Sequence, residues 1–452
     1  MHRLKTLAGA LALALLVTGA AFGQPNTGAA NFTTYVALGD SLTAGFSSGS
    51  INQIYQTNSY PALIYRQATG KTTGFEQPLV SPPGLPGILQ LQRLIPSVVI
   101  APTPGTGQPI NLNLPRPYNN MAVPGATLHA LLTKTASTSA NDPTDLILRR
   151  LGFTQLQQGL SLKPTFVTLW IGNNDVLGAA TSGIVIPGVT LTPVDQFQAD
   201  YTAVVTAIAS TGAKMAIANI PDVTSIPFVT TVPRIVVNPA TNQPVLINGQ
   251  PVPLIGPNGP LQAGDFVLLT ATAELAQGRG IPAALGGSGL PLSDSSVLSK
   301  AEVATINDYV IAYNQIIAKA ASDKGAALVD ANALLKDLAA NGIAVGGIEY
   351  TSKFLTGGVF SYDGVHPTAF GYAYIANQFI DAINRQFGGS IPPVDLYPFV
   401  FGPLPKSAAD DQAMTGFVFT PEARRSLLQS FGVPKWIIDG TKPPRKPRHN
   451  HG

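Results

Sequence analysis

Four short stretches of almost continuous hydrophobic residues recur along the chain, and each ends at small or polar residues. They are 34–40 (TYVALGD), 164–175 (PTFVTLWIGNND), 213–222 (AKMAIANIPD) and 325–331 (GAALVDA). Continuous rather than alternating hydrophobicity is typical of central strands that are covered on both faces of a parallel sheet. We therefore predict that these four stretches are buried strands.

Between these stretches, apolar residues recur at helical spacing. Segment 194–211 places one stripe on a helix: Phe197, Tyr201, Val204, Val205 and Ile208. Segment 300–325 does the same with Val303, Ile306, Val310, Tyr313 and Ile317. Segment 367–384 begins with a proline in a predicted first turn and spaces Phe370, Tyr374 and Phe379 along the helix. Strands that alternate with helices predict an α/β fold, a three-layer α/β/α sandwich around a mainly parallel sheet.

Two long stretches interrupt this alternation. Residues 46–118 and 224–298 are rich in glycine and proline, and we predict that they are long loop insertions. In the second, the sequence NGQ lies between β-prone runs and predicts a hairpin over 235–254. Ordered loops of this length are usually lids or binding loops, and ornamental surface loops are the alternative. Near the C-terminus, 419–433 (FTPEARRSLLQSFGV) predicts one short helix that packs back on the body.

The first residues have the pattern of a secretory signal peptide. Arg3 and Lys5 form a basic start, an apolar run covers 7–17, and Ala21-Phe22-Gly23 is a small-x-small cleavage site. We therefore predict removal of residues 1–23 and export from a bacterium to the periplasm or the medium. An uncleaved membrane anchor is the alternative, but the apolar run is short for a span and no stop-transfer pattern follows.

Composition narrows the class of protein further. Hydrophobic residues make up 45% of the 452 residues and charged residues 11%, which excludes disorder from low hydrophobicity. There is no cysteine, and therefore no disulfide framework and no thiol nucleophile. The net charge of +3 comes from the leader, with two basic residues, and the tail TKPPRKPRHNHG, with four; 21 basic and 24 acidic groups remain in 24–440. Without a basic stripe, nucleic acid is excluded as a partner.

The stretch VALGDSLTAGF (36–46) contains the first candidate for chemistry, Ser41. Its hydroxyl is either a nucleophile or only the cap of the following helix. A nucleophile needs a general base, an orienting group for that base and donors for a developing oxyanion. Of five histidines, one lies in the leader and two in the basic tail, which leaves His129 and His366.

His366 follows Asp363 by three residues in YDGVHPTAFG, just ahead of a predicted helix. A carboxylate at this spacing can fold back onto the imidazole Nδ1–H, hold the tautomer and stabilise imidazolium, while Nε2 faces the serine. An isolated D-x-x-H also has a purely structural interpretation. His129, in GATLHALLT, has no acid nearby in the sequence and is interpreted as a helix-surface or core histidine.

Four sequence blocks carry a family resemblance. They are GDSL (39–42) followed by TAG, a glycine at 125 in NNMAVPGAT, GNND (172–175) and DGVHP (363–367). Each block alone is a weak signal, but in this order they resemble the SGNH, or GDSL, esterase and lipase family over about residues 33–385. The resemblance implies that Ser41 is the nucleophile, His366 the base and Asp363 its orienting acid. It also implies an oxyanion hole of the backbone N–H groups of Ser41 and Gly125 and the side-chain amide of Asn174.

The resemblance implies ester hydrolysis through an acyl-enzyme, without a metal or cofactor, on a small-molecule or lipid ester. The apolar, weakly charged stretches 81–100 and 266–287 favour an acyl pocket, and hence a lipase or carboxylesterase. A carbohydrate O-acetyl esterase is the alternative; it predicts aromatic platforms for sugars, and there are only two tryptophans, Trp170 and Trp436. A non-catalytic envelope binding protein that keeps the fold is a third possibility, and it predicts a broken triad.

The predicted layout has four parts. A signal peptide (1–23) precedes a hydrolase domain (33–388), which contains both insertions. A C-terminal extension (389–440) and a basic, disordered tail (441–452) follow. We expect no stable membrane span once the leader is removed. Asp40 and Asp175 are interpreted as structural acids, because an acid at a strand end more often binds loop amides than does chemistry.

Overall fold

The computed structural model describes residues 25–93, 98–136, 143–149, 151–239, 241–400 and 417–441. The predicted signal peptide and the basic tail after Thr441 lie outside these residues, so export and the character of the tail stay predictions.

The strands and helices have the following bounds. The strands are β1 (Tyr35–Gly39), β2 (Leu89–Arg93), β3 (Val98–Pro102), β4 (Phe166–Trp170), β5 (Lys214–Ala218), β6 (Leu246–Ile247), β7 (Gln250–Pro251), β8 (Ile255–Gly256), β9 (Gly259–Pro260), β10 (Phe266–Val267), β11 (Val297–Leu298), β12 (Ala327–Val329), β13 (Ile343–Val345), β14 (Ile348–Tyr350) and β15 (Phe417–Phe419). The helices are α1 (Ser41–Ala44), α2 (Gln53–Gln56), α3 (Tyr60–Thr69), α4 (Leu128–Thr133), α5 (Pro143–Leu148), α6 (Gln155–Ser161), α7 (Asn174–Ser182), α8 (Val194–Ser210), α9 (Pro227–Thr230), α10 (Thr272–Ala276), α11 (Lys300–Lys324), α12 (Ala331–Asn341), α13 (Ala369–Phe387), α14 (Pro421–Ser430) and α15 (Lys435–Ile438).

The central sheet has four parallel strands in the order β1-β4-β5-β12, and each comes from one of the four predicted hydrophobic stretches. Residues 119–123 extend this sheet beyond β1, since Met121 N–H donates to Ala37 O at 3.0 Å and Val123 N–H to Gly39 O at 3.1 Å. The carboxyl ends of β1 and β4 therefore lie side by side, next to the segment that leads into Gly125.

Both faces of the sheet are covered, which explains the continuous hydrophobicity of its strands. Val36 and Leu38 belong to a core cluster with residues of α8 and α11, whereas Tyr35 and Ala37 belong to a second cluster with residues of α3 and α13. The predicted three-layer α/β/α fold is confirmed.

The long helices match their predicted stripes, with one difference at the start of α13. Helix α11 begins with a capping box between Ser299 and Glu302, and all five predicted apolar residues of α8 are buried. Helix α13 begins at Ala369, because the hydroxyl of Thr368 accepts a hydrogen bond from Gly371 N–H and caps the helix. Pro367 therefore precedes the cap instead of lying in the first turn, and the prediction for that residue was wrong.

The insertions contain more regular structure than predicted. The first includes α3, β2 and β3, and Tyr60 of α3 stacks on Phe379 of α13 with ring centroids 4.5 Å apart. The apolar spacing in YPALIYRQAT was concealed by its glycine- and proline-rich surroundings. In the second insertion β6 and β7 form the predicted hairpin, in which Asn248 (φ 51°) and Gly249 (φ 76°) both have the positive φ of a type I′ turn.

Candidate active site

Ser41 lies at the carboxyl end of β1, as the first residue of α1. The helix cap is Asp40, whose Oδ1 accepts a hydrogen bond from Leu42 N–H at 3.0 Å. The hydroxyl of Ser41 is therefore not used as the cap, and its backbone N–H, at the first helical position, has no acceptor within the helix.

The structure brings Ser41, His366 and Asp363 into one hydrogen-bonded line. Ser41 Oγ lies 2.8 Å from His366 Nε2, and His366 Nδ1 lies 2.9 Å from Asp363 Oδ2. The same aspartate accepts hydrogen bonds at Oδ1 from the backbone N–H groups of Val365 (2.9 Å) and His366 (2.8 Å). The carboxylate therefore folds back on its own turn, which is how the D-x-x-H spacing reaches Nδ1.

Gly125 lies in a tight turn directly after the segment that pairs with the carboxyl end of β1. Ala126 N–H donates to Val123 O at 3.0 Å, and Gly125 has φ +77°. Proline followed by a glycine of positive φ is the pattern of a type II turn, so Gly125 is a turn glycine without a side chain to block its backbone.

Asn174, the first residue of α7, joins the same edge of the sheet. Its Nδ2 donates to Ala126 O at 3.0 Å, which fixes the direction of the amide next to Gly125. The preceding Asn173 donates through Nδ2 to Asp40 Oδ2 at 2.8 Å, which ties the end of β4 to the start of α1. The sequence-predicted site residues thus meet at the carboxyl ends of β1 and β4, where ligands bind in open α/β sheets.

A family model described as GDSL-like lipase/acylhydrolase matches residues 35–379, most of the chain. The chain belongs to this family. It is therefore an ester-bond hydrolase, and the resemblance drawn from the four sequence blocks is confirmed. A comparison with curated protein sequences finds no match.

Solved structures that match this GDSL-family chain include three of low identity. TesA is 12% identical, with 78% of this chain and 98% of that chain covered and a TM-score of 0.32. A putative GDSL-like lipase from Parabacteroides merdae is 12% identical, with 80% and 99% covered and a TM-score of 0.35. The acetyl xylan esterase AlAXEase is 17% identical, with 77% and 98% covered and a TM-score of 0.32.

The electrostatics of the buried pair favour an ionised Asp363. Burial raises the pKa of this carboxyl, but the charge of His366 and the hydrogen bonds from His366 and Val365 outweigh burial, so the pKa lies below its usual value. Gly49 N–H adds a further donor to Asp363 Oδ2 at 2.8 Å. The ring of Phe46 lies 4.7 Å from the imidazole and closes one side of it.

Asp40 and Asp175 accept hydrogen bonds from backbone amides at the starts of α1 and α4, and from the side chains of Asn173 and Thr192. They hold structure, as interpreted from the sequence, but the backbone amides that they bind belong to helix starts and not to loops. Burial raises the pKa of Asp40 to about 6, although hydrogen bonds from Asn173 and Leu42 oppose this change. Burial raises the pKa of Asp175 to about 7, against hydrogen bonds from Thr192 and from the backbone of Leu128. The two carboxyls fasten the loops around Ser41 and the Gly125 turn.

His129 is a helix-surface histidine on α4, but it does have an acidic partner. Its side chain is 56% exposed, and Nδ1 lies 3.0 Å from Asp200 Oδ2 on α8. The statement that no acid lies near His129 was true only along the sequence, because helix packing brings Asp200 from 71 residues away. The pair is separate from the line formed by Ser41, His366 and Asp363.

Three contacts at the site of this GDSL hydrolase were not predicted. They are the Gly49 donor, the Asn173–Asp40 hydrogen bond and the ring of Phe431, whose centroid lies 5.9 Å from that of His366. Asn173 had a signal in the GNND block, since a second amide at a strand end is a typical loop fastener. The other two join residues far apart in the sequence, and no local pattern indicates them.

Metal-ligating clusters and membrane-spanning helices are both absent from the described residues. No group of three or more histidine, aspartate or glutamate side chains is placed there to hold a metal ion. None of the helices described is both long and apolar enough to cross a membrane.

Proposed function

We propose that this GDSL-family hydrolase cleaves carboxylic esters through an acyl-enzyme on Ser41. The observation that carries the proposal is the pair of hydrogen bonds that joins Ser41 Oγ to His366 Nε2 and His366 Nδ1 to Asp363 Oδ2. A hydroxyl becomes a nucleophile when an oriented base takes its proton, and both the base and its orienting carboxylate are in reach here.

The reaction follows from these positions. Ser41 Oγ attacks the ester carbonyl carbon while His366 Nε2 takes the hydroxyl proton. Asp363 keeps the proton on Nδ1 and stabilises the imidazolium that forms. The tetrahedral intermediate then expels the alcohol, which receives its proton from His366. Water, deprotonated by His366, attacks the acyl-enzyme and releases the carboxylic acid, and Ser41 regains its proton.

The developing oxyanion needs donors in place before the reaction. We assign this role to the backbone N–H groups of Ser41 and Gly125 and to Nδ2 of Asn174. The Asn174 amide carries two N–H groups, and its hydrogen bond to Ala126 O uses one of them, which leaves the second for the substrate. Neutral donors held by the fold need no reorganisation as the charge forms.

An acyl chain is the substrate moiety that suits the surroundings of Ser41 best. The groups next to His366 are the aromatic rings of Phe46 and Phe431, and Phe228 lies against Phe431 with ring centroids 5.5 Å apart. These rings are buried and apolar, which favours a lipase or carboxylesterase over an enzyme for a small polar ester.

A carbohydrate O-acetyl esterase remains the second candidate because of one cavity. A space of about 1120 Å³ is lined in part by Ser48 and Ser361, which lie close to Asp363 in the chain or in space, and by aromatic rings that include Tyr55, Tyr362 and Phe399. Tyrosine and phenylalanine rings can stack on sugars, although Ser41 and His366 do not line this cavity. The non-catalytic binding protein is disfavoured, because hydroxyl, imidazole and carboxylate are all present and in contact.

A panel of esters tests the substrate proposal. Residues 24–452 are assayed with p-nitrophenyl esters from acetate to palmitate, beside Ser41→Ala and beside acetylated xylan. Turnover that peaks at medium or long chains and is lost in Ser41→Ala supports the acyl-ester hydrolase. A sharp preference for acetate and for the polysaccharide would instead support the carbohydrate O-acetyl esterase. Full turnover by Ser41→Ala would contradict the proposal that Ser41 is the nucleophile.

A further inference from the structure

Ser41 and its partners are almost completely buried in this structure. The exposed fraction is 4% for Ser41, 1% for His366 and 7% for Asn174. An ester carbonyl must contact both Ser41 Oγ and the oxyanion donors, so some part of the protein has to move before a substrate can bind.

Residues 417–439, here called the C-terminal cover, lie over this site. They comprise β15, α14 and α15 and the turn that joins the two helices. In that turn, Phe431 lies next to the His366 ring, and the carbonyl oxygen of Ser430 lies 3.4 Å from where a Cβ on Gly125 would be. A Cβ on Gly432 would in turn lie 3.5 Å from Gly125 O. The turn thus packs against Gly125, the residue whose N–H is one of the proposed oxyanion donors.

The cover is held mainly by apolar contact. Its buried side chains are Phe419, Ala423, Leu427, Leu428, Phe431, Val433, Ile437 and Ile438. Strand β15 pairs with β3, but among the described residues no hydrogen bond joins α14 or α15 to the body of the protein. Glu274 on α10 attracts the half-buried Arg424 electrostatically, whereas the Arg425–Asp439 ion pair lies wholly within the cover and does not tether it.

Such a contact is sensitive to its surroundings. Lifting α14 in water exposes Leu427, Leu428 and Phe431, which is unfavourable in proportion to the apolar area. When the cover opens against an apolar phase, exposing the same residues costs little free energy, because the phase replaces the protein surface that they contacted. The outer face of α14, with Glu422, Arg425 and Gln429, is polar and stays in water in either state.

We infer that the C-terminal cover closes Ser41 in water and opens against an apolar aggregate, so that the substrates are acyl esters presented in micelles or membranes. This inference rests on the proposed function and specifies its substrate class. The covering contact is the turn from Ser430 to Gly432, and the residue that seals the site is Phe431.

The absence of cysteine from the chain provides a test that needs no ester turnover. Ser41→Cys introduces a single thiol, and its rate of alkylation by iodoacetamide measures access to position 41. In buffer we expect alkylation at least about tenfold slower than for the denatured protein, and about tenfold acceleration on adding Phe431→Ala or Leu427→Ser. Gln429→Ala, on the exposed face of the same helix, is the matched control and leaves the rate unchanged.

A second thiol separates opening from unfolding. Ala216→Cys places the probe at a fully buried position of β5 in the central sheet. If Phe431→Ala only opens the cover, the thiol of Ala216→Cys stays unreactive while that of Ser41→Cys reacts faster. Equal acceleration at both positions would mean general unfolding and would contradict the proposal that the C-terminal cover closes Ser41. Rapid alkylation in buffer of the protein that carries only Ser41→Cys would contradict it too.

The aggregate is tested with the same thiol and with one substrate. Dioleoylphosphatidylcholine vesicles should speed alkylation of Ser41→Cys about fivefold or more, and hydrolysis of tributyrin should rise abruptly where it exceeds its solubility. Phe431→Ala should lose that rise. If vesicles leave the alkylation rate unchanged and tributyrin hydrolysis shows no such rise, the proposed substrate class is wrong. Hydrolysis that persists in Ser41→Ala would instead refute the proposed function and leave the alkylation result standing.

Discussion

The backbone N–H of Gly49 donates to Asp363 Oδ2 at 2.8 Å, on the same oxygen that faces His366 Nδ1. The loop after α1 therefore helps to position the carboxylate, although 314 residues separate the two. Gly49 has φ +71°, and a Cβ there would lie 3.1 Å from Cδ1 of Leu89. The positive φ therefore favours glycine, and a side chain there would also press against Leu89.

Gly49→Ala should lower both stability and activity. The positive φ costs roughly 1–2 kcal/mol for an L-residue, and the contact with Leu89 displaces the donor from Asp363. Gly188→Ala is the control, because Gly188 has φ +78° and no atom within 4 Å of its added Cβ. We expect both variants to lose thermal stability and Gly49→Ala alone to lose kcat. Equal kcat in the two variants would contradict the positioning role.

Asp363→Asn should lower kcat by about 10⁴-fold, as in other triads, because an amide favours the wrong imidazole tautomer. The chain offers a matched control in Asp200→Asn, which changes the carboxylate beside the exposed His129. Steady-state kinetics on a soluble butyrate ester should show near-normal turnover for Asp200→Asn. A similar loss in both variants would point to a general structural effect.

Asn174→Ala should lower kcat by about 10²–10³-fold with little change in KM, since the donor acts on charge that develops in the transition state. Asn174→Asp, which keeps the shape but replaces the amide by a carboxylate, should lose at least as much. Asn341→Ala removes an exposed amide on α12 and serves as the control. If Asn174→Ala raises KM and leaves kcat intact, Asn174 binds the ground state and is not an oxyanion donor.

The raised pKa of Asp175 predicts how stability depends on pH. Its pKa is about 7 in the folded protein and about 3.9 when unfolded, so the folded state holds the proton more tightly. The resulting stabilisation is fully present below the unfolded value and is lost as the pH rises through about 7. Each tenfold difference in proton affinity between the two states corresponds to about 1.4 kcal/mol.

Asp175→Asn imitates the protonated acid, so its melting temperature should fall less than that of the wild type between pH 5 and pH 8. Asp40, whose pKa is about 6, acts in the same direction and remains in both proteins. Asp323→Asn, on the exposed face of α11, should keep the wild-type slope. Parallel melting curves for Asp175→Asn and the wild type would contradict this account.

The sequence was sufficient to predict the sheet, the long helices and the residues that meet at the site. Those features have local signals: continuous hydrophobic runs for β1 and β4, a 3.6-residue stripe for α8, and an acid three residues before His366. Each block alone is a weak signal, but the four blocks in this order, each at a strand end or a helix start, indicate one family and one type of reaction.

What the sequence did not predict depends on contacts between distant segments. Helix α3 was missed because its short apolar pattern lies within a glycine- and proline-rich stretch, and its packing partner, α13, is about 300 residues away. The partner of His129 was missed for the same reason. Segment 419–433 was expected to pack on the body of the protein. The position of Phe431 next to His366, however, depends on the three-dimensional arrangement of β3, α7 and His366, and no pattern within the segment indicates it.

The most direct test of the account is to label the protein with a short alkyl fluorophosphonate and locate the adduct by peptide mass spectrometry. We predict one adduct, on Ser41, with ester hydrolysis lost in proportion to labelling and no adduct in Ser41→Ala. An adduct on another residue, or full hydrolysis by protein completely labelled at Ser41, would contradict the acyl-enzyme on Ser41.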